Sequence, residues 1–269
     1  MEGRSFAPVA SVAFHRRMHQ DGVLGKYLLL LAHKILRDVE AARFYQQWKR
    51  QTGGFIIMDN SVVELEEPLP TREILRAAEM VNADVLVLPD SLKEPDETLE
   101  MSIRAADEII PAFWEEGKEP HLKLMVVVQG KTFHDVRWFV ESIRKAIPEE
   151  WLWGFGVPRA WVEAIGTRWP IVSKVAEMTN LPIHLLGFSD RLEDDLTCAR
   201  MKNVVGIDSA VPIRLALNGV KIDDYIQQGS PPLARRGQRY LSLGEDAYDR
   251  YADLIQYNVK WVRYAIGRG

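Results

Sequence analysis

The stretch "KYLLLLAHK", Lys26 to Lys34, decides between two architectures. Five residues, Tyr27 to Leu31, are apolar without a break, then Ala32, His33 and Lys34 turn the chain outward. A continuous apolar run this short suits a parallel strand buried on both faces. An open, doubly wound sheet usually follows its first strand with a glycine-rich phosphate loop, G-x-G-x-x-G. Here the run ends "LLLAHK", with no glycine at all. The pattern favours a closed (β/α)8 barrel of TIM type.

Outward from that run the same unit repeats. "GFIIMDNS", "ADVLVLPDS", "LKLMVVVQGK", "WLWGFGVP", "PIHLLGFSD" and "NVVGIDSA" are short and apolar. Between them lie helical patterns such as "TREILRAAEMV", "FHDVRWFVESIRKAI" and "WPIVSKVAEMT". Such alternation is the signature of successive βα units. Seven strands are readable, with an eighth expected around "QRYLSLG" or "GVKIDDYI". The expected domain is single, 1–269, with its barrel core at about 25–220. Residues 221–269 are then expected to complete the barrel and add a last helix. The length of 269 residues suits one such barrel.

Composition narrows the chemistry. A hydrophobic content of 47% supports a large core, and a net charge of −4 argues against a protein that coats nucleic acid non-specifically. Basic segments at His15–His19, Lys49–Gly54 and Leu233–Tyr240 still leave room for a local basic groove. The single cysteine, Cys198, excludes a disulfide framework and a multi-thiolate zinc site. No apolar run is long enough to span a bilayer, and no secretion-signal order opens the chain. The expectation is a soluble, cytosolic protein with no cofactor and no bound metal.

Each strand finishes on something polar. The runs end at His33, at Asp59-Asn60-Ser61, at Asp90-Ser91, at Gln129-Gly130, after Gly154-Phe155-Gly156, at Gly187 with Ser189 and Asp190 beyond, and at Asp208-Ser209. In a barrel those ends converge on the face that carries the active site. Asp190, before "RLEDDL", reads as a helix cap; His33 and His184 read as satisfied core or rim histidines. Asp59, Asp90, Gln129 and Asp208 recur at one structural position, so they form the candidate site. Nothing offers a His/His/carboxylate spacing or a Gly-x-Ser-x-Gly elbow. Two carboxylates in one pocket suit chemistry at an anomeric carbon, and a further Asp with a Gln amide can read a planar heterocycle. On residue chemistry alone the reaction is glycosyl or nucleobase transfer.

The order "MDNS", "LPDS", "VVVQGK", "GFGVPR", "LLGFSD" and "GIDSAVPIRLALNG" resembles the tRNA-guanine transglycosylase superfamily over roughly residues 55–219. The last stretch is similar to that family's nucleophile segment, an Asp-Cys-x-x-Pro-Thr-Arg run followed by Asn-Gly. The resemblance implies that Asp208 is the nucleophile toward C1′ and Asp59 the general acid/base. It implies base recognition by Asp90, Gln129, Gly130 and the backbone at Gly154 and Phe155, with Ser61 and Arg214 at the substrate. The family's Cys-x-Cys-x-x-Cys zinc subdomain is missing here. That departure makes the chain more similar to the zinc-free, DpdA-like branch, known from phages and bacterial gene clusters, which places 7-deazaguanines in DNA. The implied substrates are DNA, with tRNA as the alternative, and a free 7-deazaguanine base; accessory proteins are compatible with that branch. Arg235, Arg236, Arg239 and Tyr240 are the expected nucleic-acid contacts, through phosphate pairing and base stacking. Three other functions fit the same residues: a hydrolytic base glycosylase, a catalytically silent nucleic-acid-binding barrel, and an unrelated barrel enzyme acting on a small nucleoside.

Overall fold

The computed structural model describes residues 4–113, 120–231 and 238–267. Eight strands, all parallel, form one nearly closed (β/α)8 barrel. They are β1 Ser5–Pro8, β2 Tyr27–Leu31, β3 Phe55–Asp59, β4 Val85–Val87, β5 Lys123–Val127, β6 Leu152–Pro158, β7 Ile183–Leu186 and β8 Val204–Ser209. The ladder runs β1-β8-β7-β6-β5-β4-β3-β2. β1 and β2 lie side by side at the seam, outside the hydrogen-bonded ladder.

The strand pleat splits the apolar residues into two cores. Ala7, Leu29, Leu31, Ile57, Val85, Val87, Met125 and Val127 fill the barrel interior. Their neighbours, such as Phe6, Leu28, Leu30, Ile56, Met58, Leu86, Leu124 and Val126, face the surrounding helices. The helices meet them with one stripe each. In helix Thr71–Val81 the buried residues are Ile74, Ala77, Ala78 and Val81, and in helix Phe133–Ala146 they are Val136, Phe139, Val140 and Ile143. Both sets follow i, i+3, i+4, i+7, the spacing of one helical face. Thr132 and Asp135 form a capping box that starts the second helix and satisfies donors there.

The eighth strand is not where the C-terminal runs suggest. "GVKIDDYI" contains helix Ile222–Gln227, with Asp223 and Asp224 favouring its positive N-terminal end. "QRYLSLG" contains a 3-10 turn, Gln238–Ser242. The missing strand is β1, at the N-terminal side of the expected core. It pairs with β8 through Phe6↔Ile207 and Ala7↔Asp208. Among the described residues, the segment after residue 220 therefore supplies no strand to the barrel. Its long helix, Glu245–Gly267, packs over β1 and over helices Val12–Gln20 and Val211–Leu217, covering the seam from outside.

Two glycines are required by close approach. A Cβ on Gly154 would lie 2.1 Å from the Pro182 carbonyl oxygen, so only glycine lets β6 run this near the entry to β7. A Cβ on Gly206 would meet the Tyr27 ring at 2.7–2.8 Å. Among the described residues no helix is long and apolar enough to cross a membrane.

Candidate functional site

The carboxyl ends of the strands open into one mouth, and the acids of β3 and β8 line it. Asp59 is the last residue of β3 and sits opposite Leu31 of β2. Its Oδ2 accepts from the Ser61 amide at 2.8 Å. Ser61 adopts a left-handed φ of 67°, an unusual conformation for a non-glycine residue, and its buried hydroxyl accepts from the His33 amide. The strained turn fixes the direction of Asp59. Burial pushes the Asp59 carboxyl well above the usual carboxylate range, and nearby Glu64 adds to it. The Ser61 amide pulls the other way, while the charges of Asp208 and Asp90 raise it further. Asp59 therefore holds a proton where an exposed aspartate would not.

Asp208, the penultimate residue of β8, is 8% exposed. Its Oδ1 accepts twice, from His184 Nε2 at 3.0 Å and from the Gly187 amide at 3.1 Å. Among the described residues its Oδ2 makes no hydrogen bond.

Asp90 and Gln129 are brought together, aimed at one another. Asp90 Oδ1 accepts from Asn60 Nδ2 at 2.6 Å, and Oδ2 accepts from Gln129 Nε2 at 2.7 Å. Asn60 also donates to the Leu88 carbonyl and accepts from the Val62 amide. Gln129 Oε1 accepts from the Lys93 amide. All three side chains are at most 2% exposed. Burial raises the Asp90 carboxyl, and the two amide donors oppose it. This network ties the loops after β3, β4 and β5 together, with one side-chain amide donor on each Asp90 oxygen.

The remaining expected contacts separate by position. Gly130 follows Gln129 and packs on Asp135 and Trp161. Gly154 and Phe155 lie within β6, paired with Met125 and Val126, and the Phe155 ring belongs to the outer core. Arg214 lies in helix Val211–Leu217, and its charge acts on Tyr240 and Tyr225. Tyr240 packs against the barrel interior beside Leu241, which joins the inner core. Burial lifts the Tyr240 hydroxyl to about 12. Glu64 raises it as well, Arg214 and Arg159 oppose, and Asp208 adds a smaller push. Tyr240 thus lies within electrostatic reach of Glu64 and Asp208. Arg235 and Arg236 lie outside the described residues, and Arg239 is described in its backbone alone, within the Gln238–Ser242 turn.

Several residues carry roles that their local sequence does not announce. His184 is fully buried with both ring nitrogens hydrogen-bonded, a satisfied core histidine as expected, and its Nε2 partner is Asp208. His33 is buried with Nδ1 unpartnered among the described residues, and burial, with Lys34 and Arg37 nearby, lowers it to about 4. Asp190 is exposed and does not cap; the cap residue of helix Leu192–Ala199 is Arg191, with no side-chain cap bond. A cavity of about 430 Å3 adjoins the mouth at the β1–β2 seam, lined by Val9, Leu31, Lys34, Tyr45 and Leu241 among others. Among the described residues no group of three His, Cys, Asp or Glu side chains could hold a metal ion.

Glu64, in the short helix Val62–Leu65, is the further acid. Burial raises its carboxyl from 4.5 to about 7; its own backbone amide opposes, Asp208 raises it, and Arg159 and Lys34 lower it. Because its folded value lies above its unfolded value, the stability tied to this proton is present below about 4.5 and lost as pH rises through about 7. Glu64→Gln removes that loss. At pH 8 the variant is expected to be more stable than wild type by about 1–3 kcal/mol, and at pH 4 to match it. Urea unfolding at the two pH values measures the difference; an equal gap at both would contradict it.

The arrangement sets a carboxyl raised by burial, Asp59, near a second carboxylate, Asp208, whose Oδ1 takes two donors while Oδ2 takes none among the described residues. No protein-family model matches the chain, and no curated protein gives a significant match to it.

Proposed function

We propose that the protein is a nucleic-acid guanine transglycosylase that exchanges guanine for a 7-deazaguanine base, in DNA, by double displacement. The observation that carries this reading is the state of Asp208: Oδ1 tied by two donors, Oδ2 unbonded among the described residues, and the proton-bearing Asp59 in the same mouth. The ordered resemblance of the strand-end motifs supplies the substrate class.

In this reading Asp208 Oδ2 attacks C1′ of the target nucleotide. The C1′–N9 bond breaks, its electron pair leaves with guanine, and Asp59 gives the departing base a proton. A glycosyl ester on Asp208 remains. The incoming 7-deazaguanine gives its N9 proton to the Asp59 carboxylate and attacks C1′, which frees Asp208. The remaining lone pairs of Asp90 accept from N–H donors on the base edge. A nucleotide in a duplex must be flipped out to reach the mouth.

The test uses oligonucleotides carrying labelled guanine, as DNA and as tRNA, with and without a 7-deazaguanine. Label release from DNA beyond one equivalent per protein, dependent on the added base, is expected. Release beyond one equivalent without added base, leaving abasic sites, would assign the hydrolytic reaction instead. Release from tRNA alone would overturn the choice of polymer, and no release from either would overturn the transglycosylase reading.

A further inference from the structure

One line of hydrogen-bonded polar groups crosses the apolar interior of the barrel among the described residues. Tyr27, the first residue of β2, stacks on Phe55 with ring centroids 5.6 Å apart. Its hydroxyl lies 2.8 Å from His184 Nδ1, and His184 Nε2 lies 3.0 Å from Asp208 Oδ1. The line crosses β2, β7 and β8. Tyr27 is 3% exposed and His184 is fully buried. Placing three polar groups inside a hydrophobic barrel is costly unless each is satisfied, and here they satisfy one another. Gly206 supplies the space, since a Cβ there would collide with the Tyr27 ring.

The direction of the bonds follows from the phenol. Burial, reinforced by the charge of Asp208, raises the Tyr27 hydroxyl well above its ordinary value, so it keeps its hydrogen. A buried O–H needs an acceptor, and Nδ1 stands at hydrogen-bond distance. Nδ1 must then present its lone pair, which puts the imidazole hydrogen on Nε2, toward Asp208.

We infer that Tyr27 is a positioning residue: by holding His184 in the Nε2–H tautomer, it keeps Asp208 Oδ1 engaged and turns Oδ2 toward the mouth. For turnover the inference rests on the transglycosylase reading above; for the tautomer it does not. Without the phenol, His184 Nδ1 is left buried without a donor, and the ring loses the bond that fixes its orientation toward Asp208.

The test compares wild type and Tyr27→Phe by long-range proton–nitrogen spectra of 15N-histidine protein, and by single-turnover label release. Wild-type His184 is expected to carry hydrogen on Nε2 alone. Tyr27→Phe, which keeps the ring and its stacking, is expected to shift the His184 nitrogen resonances, Nδ1 most, as that nitrogen loses its donor and the ring its fixed orientation. Its turnover should fall roughly 10- to 100-fold while KM stays within about twofold. The wild-type spectrum needs no variant, so a folding defect cannot hide the answer: hydrogen on Nδ1, or on both nitrogens, overturns the inference. Unchanged turnover in Tyr27→Phe overturns it too. If neither protein exchanges a base, the transglycosylase reading fails while the spectra still decide the tautomer.

Discussion

Asp208→Asn should lower single-turnover base release by on the order of 10^3- to 10^5-fold while leaving the fold intact. Asparagine keeps a carbonyl oxygen that can accept from His184 Nε2 and Gly187, so the bonds that seat the side chain survive. What disappears is the free carboxylate oxygen, replaced by an amide nitrogen that does not attack carbon. Thermal unfolding should therefore change little, and DNA affinity should stay close to wild type, because the lost interaction forms only as the bond to C1′ forms. A variant that keeps wild-type release rates would remove Asp208 from the reaction.

The second large effect concerns stability. Arg168 and Asp195 are both fully buried, with Nη2 and Oδ1 2.6 Å apart, in close contact but without hydrogen-bond alignment. Arg168 also donates to the carbonyls of Val157, Leu186 and Gly187, the ends of β6 and β7. Asp195 in turn accepts from the amide and hydroxyl of Ser189. Arg168→Met leaves a buried carboxylate without its cation and removes one donor from each of three carbonyls, at an expected cost of about 3–5 kcal/mol. Burial already raises the Asp195 carboxyl despite Arg168. Losing the cation raises it further, so the penalty should shrink as pH falls and Asp195 takes up a proton. Arg168→Met with Asp195→Leu should recover part of the loss. Urea unfolding at neutral and acid pH reads all three expectations. The same clamp fixes the loop whose Gly187 amide holds Asp208, so the single variant should also release base more slowly.

The barrel was legible because its strands are short, apolar on both faces and separated by helices with clean stripes. The exception, β1, is four residues, "SFAP", with a proline at its end. Nothing local marks it as a strand; its burial arises only from pairing with β8. "QRYLSLG" carries the β-like residues yet forms a turn whose Leu241 and Tyr240 pack with the barrel's inner core. Asp59, Asp90, Gln129 and Asp208 were legible for one reason, their shared place after an apolar run. That rule shows which residues reach the mouth but not what they bond there. Asp90 and Gln129 are 39 positions apart, and their mutual bond depends on the register of β4 with β5. Tyr27 and His184 are 157 positions apart and each reads as core alone. Glu64 belongs to no strand end, and its acidic neighbourhood reads as a solvated run until the fold sets it near Asp208.

The most direct measurement is the search for the ester itself. Wild-type protein is mixed with guanine-containing DNA and no incoming base, quenched in acid, digested and read by mass spectrometry. The account predicts a nucleotide adduct on the peptide that contains Asp208, absent from Asp208→Asn and discharged when a 7-deazaguanine is added before the quench. Guanine release with no adduct on that peptide, together with wild-type activity in Asp208→Asn, would contradict it.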